Sequence, residues 1–178
     1  MRKQADVDRE RLVDRCLEAF IAAGTLDASL DQLASQAGTS KRMLIHYFGT
    51  REHLEELAMA RLEERLRERF RVESFPPGTT VYAAVTALWE QTTAPESRGV
   101  LGLVMDLSRR GWSGSARGKA FYEEQQRLWI ELLRNFLPDA DAVDELLQLF
   151  QGAVLAFLVT GDRERGRRAL ERMILRNT

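Results

Sequence analysis

The stretch from Ser29 to Leu54, SLDQLASQAGTSKRMLIHYFGTREHL, constrains this chain more than any other. Its spacing predicts two short helices, a tight turn between them, and the start of a third helix. Ser29 is placed to cap the first, and Gln32 three residues on completes the capping-box pattern. Leu30, Leu33, Ala34 and Ala37 recur at helical spacing and give that helix a side to bury. Gly38 stops it, because glycine adopts the left-handed conformation that a helix end requires. Thr39 or Ser40 caps the second helix, with Met43 and Leu44 expected towards the core. That helix ends at Phe48-Gly49, and Thr50 opens the third.

Two helices joined by a short glycine-containing turn make a helix-turn-helix unit. In such units the first residues of the second helix meet base edges in the DNA major groove. Lys41 and Arg42 stand there. Between Gln32 and Arg51 the only charged residues are Lys41, Arg42 and Arg51. Tyr47 adds a hydroxyl of the kind that contacts phosphate.

These residues also resemble a known family. The run LDQLASQAGTSKRMLIHYFGTREHLEELA, preceded by RERLVDRCLEAFIAAG, is similar to the DNA-binding domain of TetR-type regulators. Leu33-Ala34-Ser35-Gln36-Ala37-Gly38-Thr39-Ser40, Leu44-Ile45-His46-Tyr47-Phe48 and Thr50-Arg51-Glu52-His53-Leu54 carry the resemblance, over about the first third of the chain. Three positions depart from the usual pattern: Ile45 replaces a common tyrosine, Arg42 a frequent glycine, and Asp31 a frequent basic residue. The resemblance implies an all-α homodimer that binds operator DNA and answers to a small-molecule ligand.

Composition sets limits around that reading. A hydrophobic share of 44% supports a packed core, and a net charge of −1 gives no global attraction to nucleic acid. The case for DNA rests on where charge lies. Cys16 is the sole cysteine, so no disulfide forms within the chain, and its place on an apolar helix side makes it a small buried hydrophobe rather than a redox sensor. The N-terminal MRKQADVDRE lacks an apolar segment and does not read as a signal peptide. The longest apolar stretch, Ala153 to Val159, is short for a membrane span, and a cytoplasmic location is expected.

Taken in order, the sequence predicts about nine helices and no strand. The arm to Asp6 is expected to be loosely ordered, with Arg2 and Lys3 in reach of phosphates. A first helix from Val7 to Ala23 buries Leu12, Val13, Cys16, Leu17, Phe20 and Ile21, and Gly24 stops it. A fourth helix runs from Arg51 to Phe70, where Arg51 is a candidate phosphate contact. Pro76, Pro77 and Gly78 break the chain beyond it. Later helices are expected at Val81–Thr93, from Pro95 to Arg110, at Ala116–Phe136, up to Thr160 after an Asp139 or Asp141 cap, and at Arg163–Arg176, with Gly111, Gly114 and Gly118 as a flexible connection. The expected division is 1–50, DNA-binding, and 51–178, ligand-binding and dimerising, with helix 51–70 connecting the two.

The helix ending at Thr160 is apolar nearly all round, so several surfaces must cover it. One of these is expected to be a second copy, with Phe150, Val154, Phe157, Leu158, Leu170 and Ile174 in the interface. No metal-ligand pair of His or Cys, no phosphate-cradling loop and no nucleophile–base pair stands out, so neither a metal, a cofactor nor an enzyme is expected. Asp106, amid Leu103, Val104, Met105 and Leu107, reads either as an exposed acid or as a buried anchor for a cationic or hydroxylated ligand. Leu66, Trp89, Met105, Trp112, Phe121 and Trp129 are the candidates for an aromatic-lined ligand pocket. Ser29, Ser40, Lys41, Arg42, Tyr47 and Arg51 are the candidates for DNA contact. The resulting function is a sequence-specific transcriptional regulator, a repressor released by its ligand. The alternative is a helical ligand-binding or scaffold dimer that no longer holds DNA.

Overall fold

The computed structural model describes the backbone of residues 2–177 and the side chains of 7–176. Among these residues there are nine α-helices and no strand. They are α1 (Arg2–Ala23), α2 (Leu30–Gln36), α3 (Lys41–Phe48), α4 (Arg51–Arg69), α5 (Val81–Thr92), α6 (Arg98–Trp112), α7 (Ala116–Leu133), α8 (Ala140–Thr160) and α9 (Arg163–Asn177). Short 3-10 turns lie at Val72–Ser74 and Pro95–Ser97. The helix expected from Val7 begins at Arg2, so the arm is helical where it was expected to be loose. The side chains of Arg2 and Lys3 fall outside the described residues.

Local chemistry sets most boundaries. Ser29 Oγ accepts from the Gln32 amide at 3.2 Å while Gln32 Oε1 accepts from the Ser29 amide at 2.7 Å, closing the capping box. Ser40, Thr50, Thr80 and Asp139 cap α3, α4, α5 and α8 more simply, each with a side-chain oxygen that accepts from a first-turn amide. Gly38 and Gly49 take φ of 63° and 73° at the ends of α2 and α3, a region that penalises any Cβ.

Two hydrophobic cores result. The first gathers Leu17 and Phe20 of α1, Leu33 of α2, Leu44 and Phe48 of α3, and Leu54, Ala58 and Leu62 of α4, all close to fully buried. Leu103 and Leu107 of α6 and Phe121 of α7 also enter it. Burying a Leu or Phe side chain stabilises by about 1.5–3 kcal/mol, and this outweighs the ion pairs outside. Arg61 and Arg65 of α4 meet Asp14 of α1 at 3.2 and 3.1 Å, but such half-exposed pairs contribute roughly 0–1 kcal/mol. Met43, expected inward, points out at 38% exposed, because Leu44 and Phe48 already fill the buried side of α3.

The second core joins Val85, Leu88 and Trp89 of α5, Leu132 and Leu133 of α7, Val143, Leu146, Leu147 and Phe150 of α8, and Leu170, Met173 and Ile174 of α9. Trp89 is 1% exposed, stacks edge-on against Phe150, and abuts Gly166, where a Cβ would strike its ring. By length and composition α8 resembles a membrane span, with mean hydropathy 1.6, longer than the Ala153–Val159 run suggested. Its Val143, Leu146, Leu147, Phe150, Ala153 and Val154 are buried within this core, as in a central helix of a folded domain.

The glycines between α6 and α7 do not form a flexible connection. Gly111 lies within α6 and Gly118 within α7, and the two backbones cross there. A Cβ on Gly111 would stand 2.8 Å from the Gly118 carbonyl carbon. Only Gly114, at φ 98°, serves the turn itself.

Candidate nucleic-acid interface and ligand cavity

α3 presents Lys41, Arg42, Met43, Ile45 and His46 to solvent, while Leu44 and Phe48 anchor its back. Arg42 makes no ion pair within the described residues. Lys41 does: its Nζ lies 3.0 Å from Asp31 Oδ2, both side chains at least half exposed. Ser29 and Ser40 sit beside this face with their hydroxyls accepting from cap amides, and Tyr47 is half-buried next to the His46 ring. Arg51 behaves differently. Its guanidinium pairs with Glu55 at 2.7 Å and donates to the Leu26 carbonyl, so it fastens α4 to the loop before α2. Its guanidinium, expected at a phosphate, is thus engaged within the protein in the chain without DNA.

Two sets of residues on this face were not singled out from sequence. Met43 and Ile45, 38% and 48% exposed, are apolar groups beside Lys41 and Arg42, and apolar contacts read thymine methyls. Arg15 of α1 is exposed next to the α2–α3 turn, its Nη1 3.7 Å from where a Gly38 Cβ would be. Helix periodicity marks α1's outer side but cannot reveal that it abuts the turn.

A cavity of about 410 Å³ lies among α4, α6, α7 and α8. Of the expected lining residues, Leu66, Met105, Phe121 and Trp129 do line it. Trp89 does not, since it belongs to the second core. Nor does Trp112, which projects 88% exposed from the end of α6. Arg69, Gln125, Gln126 and Thr92 also line it, and none was picked from sequence. Nothing in their spacing distinguishes them from ordinary surface polar residues.

α6 touches both regions. Leu101, Val104, Met105 and Ser108 face the cavity. On another side Gly102 rests against Gly24, and Gly99 meets the Ile21 carbonyl so closely that no side chain fits. Asp106 is neither an exposed acid nor a ligand anchor. Its side chain, 9% exposed, accepts from the Leu26 amide at 3.1 Å and the Thr25 hydroxyl at 3.2 Å, and pairs with Arg109 and Arg110 at 2.8 and 2.9 Å. Burial opposes its charge, but the Leu26 amide and the two guanidiniums outweigh burial and hold the carboxyl below its usual range. Arg110 reaches on to Asp27 at 2.6 Å. The loop between α1 and α2 is thus clamped to α6.

The expected dimer residues Phe150, Val154, Leu170 and Ile174 are buried inside this chain, because α8 and α9 pack against one another and α5. Phe157 and Leu158 are half-buried. The apolar side left open on α8 is Gly152, Leu155, Ala156 and Val159, with Leu155 at 54% and Val159 at 78% exposed. Leu175 of α9, 72% exposed, is a further outward apolar group.

Residues 12–57 match the family model described as bacterial regulatory proteins, tetR family. The chain is 28% identical over 138 residues to the HTH-type transcriptional regulator BetI of Escherichia coli, covering 75% of this chain and 68% of that one. In fold it is similar to a TetR-family transcriptional regulator from Streptomyces coelicolor, with a TM-score of 0.77 at 20% identity over 94% of this chain and 79% of the other. The names of these relatives describe transcription regulators, not enzymes. With a capped helix-turn-helix at its head and a helical domain behind it, the chain is similar to TetR-family DNA-binding transcriptional regulators, by the family model over residues 12–57 and by fold over nearly its whole length.

Proposed function

We propose that two copies of this chain bind a palindromic operator and leave it when a small molecule fills the cavity. Residues 1–50 would meet DNA and 51–178 the ligand and the second copy, with α4 shared by both. Arg42 is the strongest candidate for base recognition, since it is exposed and unpaired among the described residues, and Arg to guanine is the commonest specific contact. Lys41 contributes once it leaves Asp31. Ser29, Ser40, Tyr47 and Arg15 position the phosphate backbone. The outward side of α8, with Leu155 and Val159 at its centre, supplies the surface for the second copy, together with the half-buried Phe157 and Leu158.

The observation that carries the regulatory reading is the cavity itself, walled by the C-terminal end of α4 and by α6. Both helices pack against the α1–α3 unit, and α6 holds the α1–α2 loop through Asp106. A dimeric reader needs its recognition helices about 34–36 Å apart. A ligand that prefers another setting of α4 and α6 would shift that separation, and the shift cannot exceed its differential affinity for the two states.

Selecting bound fragments from genomic DNA and titrating salt against the recovered site tests this. Affinity should fall steeply with salt if phosphates are contacted. Arg42→Ala should weaken the selected site by about 1–3 kcal/mol and relax preference at one position per half-site. Unchanged affinity and selectivity would remove Arg42 from the interface.

A further inference from the structure

We propose that the cavity takes an apolar organic anion, a molecule with a hydrocarbon or aromatic body and a carboxylate head. This rests on the reading of the cavity as the regulatory site. Its body would lie against Phe70, Val104, Met105, Phe121, Trp129 and Phe150, which give the wall its apolar character. The head group is indicated by three features of the same wall.

Arg69 lines the cavity, and no carboxylate pairs with it among the described residues. It donates to the Gln91 carbonyl at 3.2 Å and to Ser97 Oγ at 2.9 Å, in both cases from Nη2. Its Nε and Nη1 donate to nothing among the described residues, so the guanidinium keeps N–H groups for a charge-assisted hydrogen bond to a carboxylate. No Asp or Glu lines the cavity among the described residues, so a cationic guest would face a like charge with nothing to offset it. Finally, Gln125 Nε2, Gln126 Nε2 and Thr92 Oγ1, all on residues of this wall, are buried without a hydrogen-bond partner. Buried polar groups are nearly always paired, and turning either glutamine amide towards the cavity would give an acceptor-rich head group a donor.

Decanoate, decanol and decylamine, each below its micelle concentration, separate the possibilities, with calorimetric affinity and the melting temperature of the full chain as readouts. Decanoate should bind roughly tenfold more tightly than decanol, the size expected of a hydrogen bond to a charged group, with decylamine weakest. Arg69→Gln should erase the advantage of decanoate while leaving decanol binding in place, and Arg69→Lys should keep part of it. Retained decanol binding also reports that the variant is folded. Gln126→Leu, which leaves Arg69 untouched, should weaken decanoate more than decanol. Equal binding of decanoate and decanol, or an advantage that survives Arg69→Gln, would overturn the head-group assignment while leaving the cavity as a ligand site. No response of the wild type to any of the three would overturn the cavity reading itself, and the assignment with it.

Discussion

The two halves of this molecule use similar side chains to opposite ends. Around Phe20 and Leu17 the first four helices close on one another, leaving only an open surface groove beside Leu12, Met43 and Tyr47. Behind them, helices just as rich in Leu, Val and aromatic residues leave about 410 Å³ open. The difference lies in what stands between the apolar groups. In the first region every inward position is apolar and small helices can adjust until they touch. In the second, Arg69, Gln125, Gln126 and Thr92 interrupt the wall, and polar groups that lack partners cannot be pressed together without cost. Shape in the first region is set by contact. In the second it is set by groups that resist contact, which suits a space meant to be filled by something else.

The largest test of this contrast is a pair of truncations. Phe20→Ala should cost about 3–5 kcal/mol, as expected for a fully packed aromatic, measured by denaturant unfolding. Met105→Ala, whose side chain borders an existing void, should fall well below the roughly 2 kcal/mol at which the usual Met→Ala range begins. Equal costs would mean that the second region is packed as tightly as the first. Next comes Gly118→Val, which drives a side chain into the Leu107 carbonyl and the Gly111 backbone. It should destabilise by about 1–3 kcal/mol and widen the cavity by parting α6 from α7, seen as altered ligand affinity. A smaller effect is expected of Asp31→Asn. It frees Lys41 from an exposed ion pair of at most about 1 kcal/mol, so operator affinity should rise modestly and its salt dependence steepen. A fall in affinity would show instead that Asp31 helps to shape the interface.

Acid offers the mildest probe of the link between the regions. The Asp106 carboxyl is held below its ordinary value in the folded chain, so its contribution is fully present above the unfolded value of about 4 and is lost as pH falls through the lower folded value. The α1–α2 loop should therefore keep its amide-exchange protection at pH 5 and lose it only in stronger acid. Asp106→Asn should show the loosened loop at neutral pH.

The helix-turn-helix was legible because its signals are local. Ser29, Gln32, Ser40 and Thr50 announce helix starts within a few residues of where they act, and Gly38 and Gly49 mark the ends. The cavity was legible only in part. Leu66, Met105, Phe121 and Trp129 are apolar residues on helices that enclose it, yet Trp89 and Trp112 looked the same in sequence and ended up in a core and in solvent. The polar members of the wall carry no local mark. α8 was recognisable as a helix needing cover on every side, but periodicity could not say which side its own α9 would take. Asp106 and Gly118 were misread for a related reason: what they touch lies far away in the chain, and spacing is silent about distant partners. Cys16 followed its sequence reading, since burial pushes its thiol up to about 11 despite Arg15 nearby, and it stays protonated near neutrality.

Gln148, Gly152 and Leu155 belong at once to the lip of the cavity and to the outer side of α8. A second chain seated on that side would roof the entrance. Escape of a captured molecule would then be timed by the parting of two chains and not by any loop swinging aside, and a guest would linger longest where the protein is most concentrated.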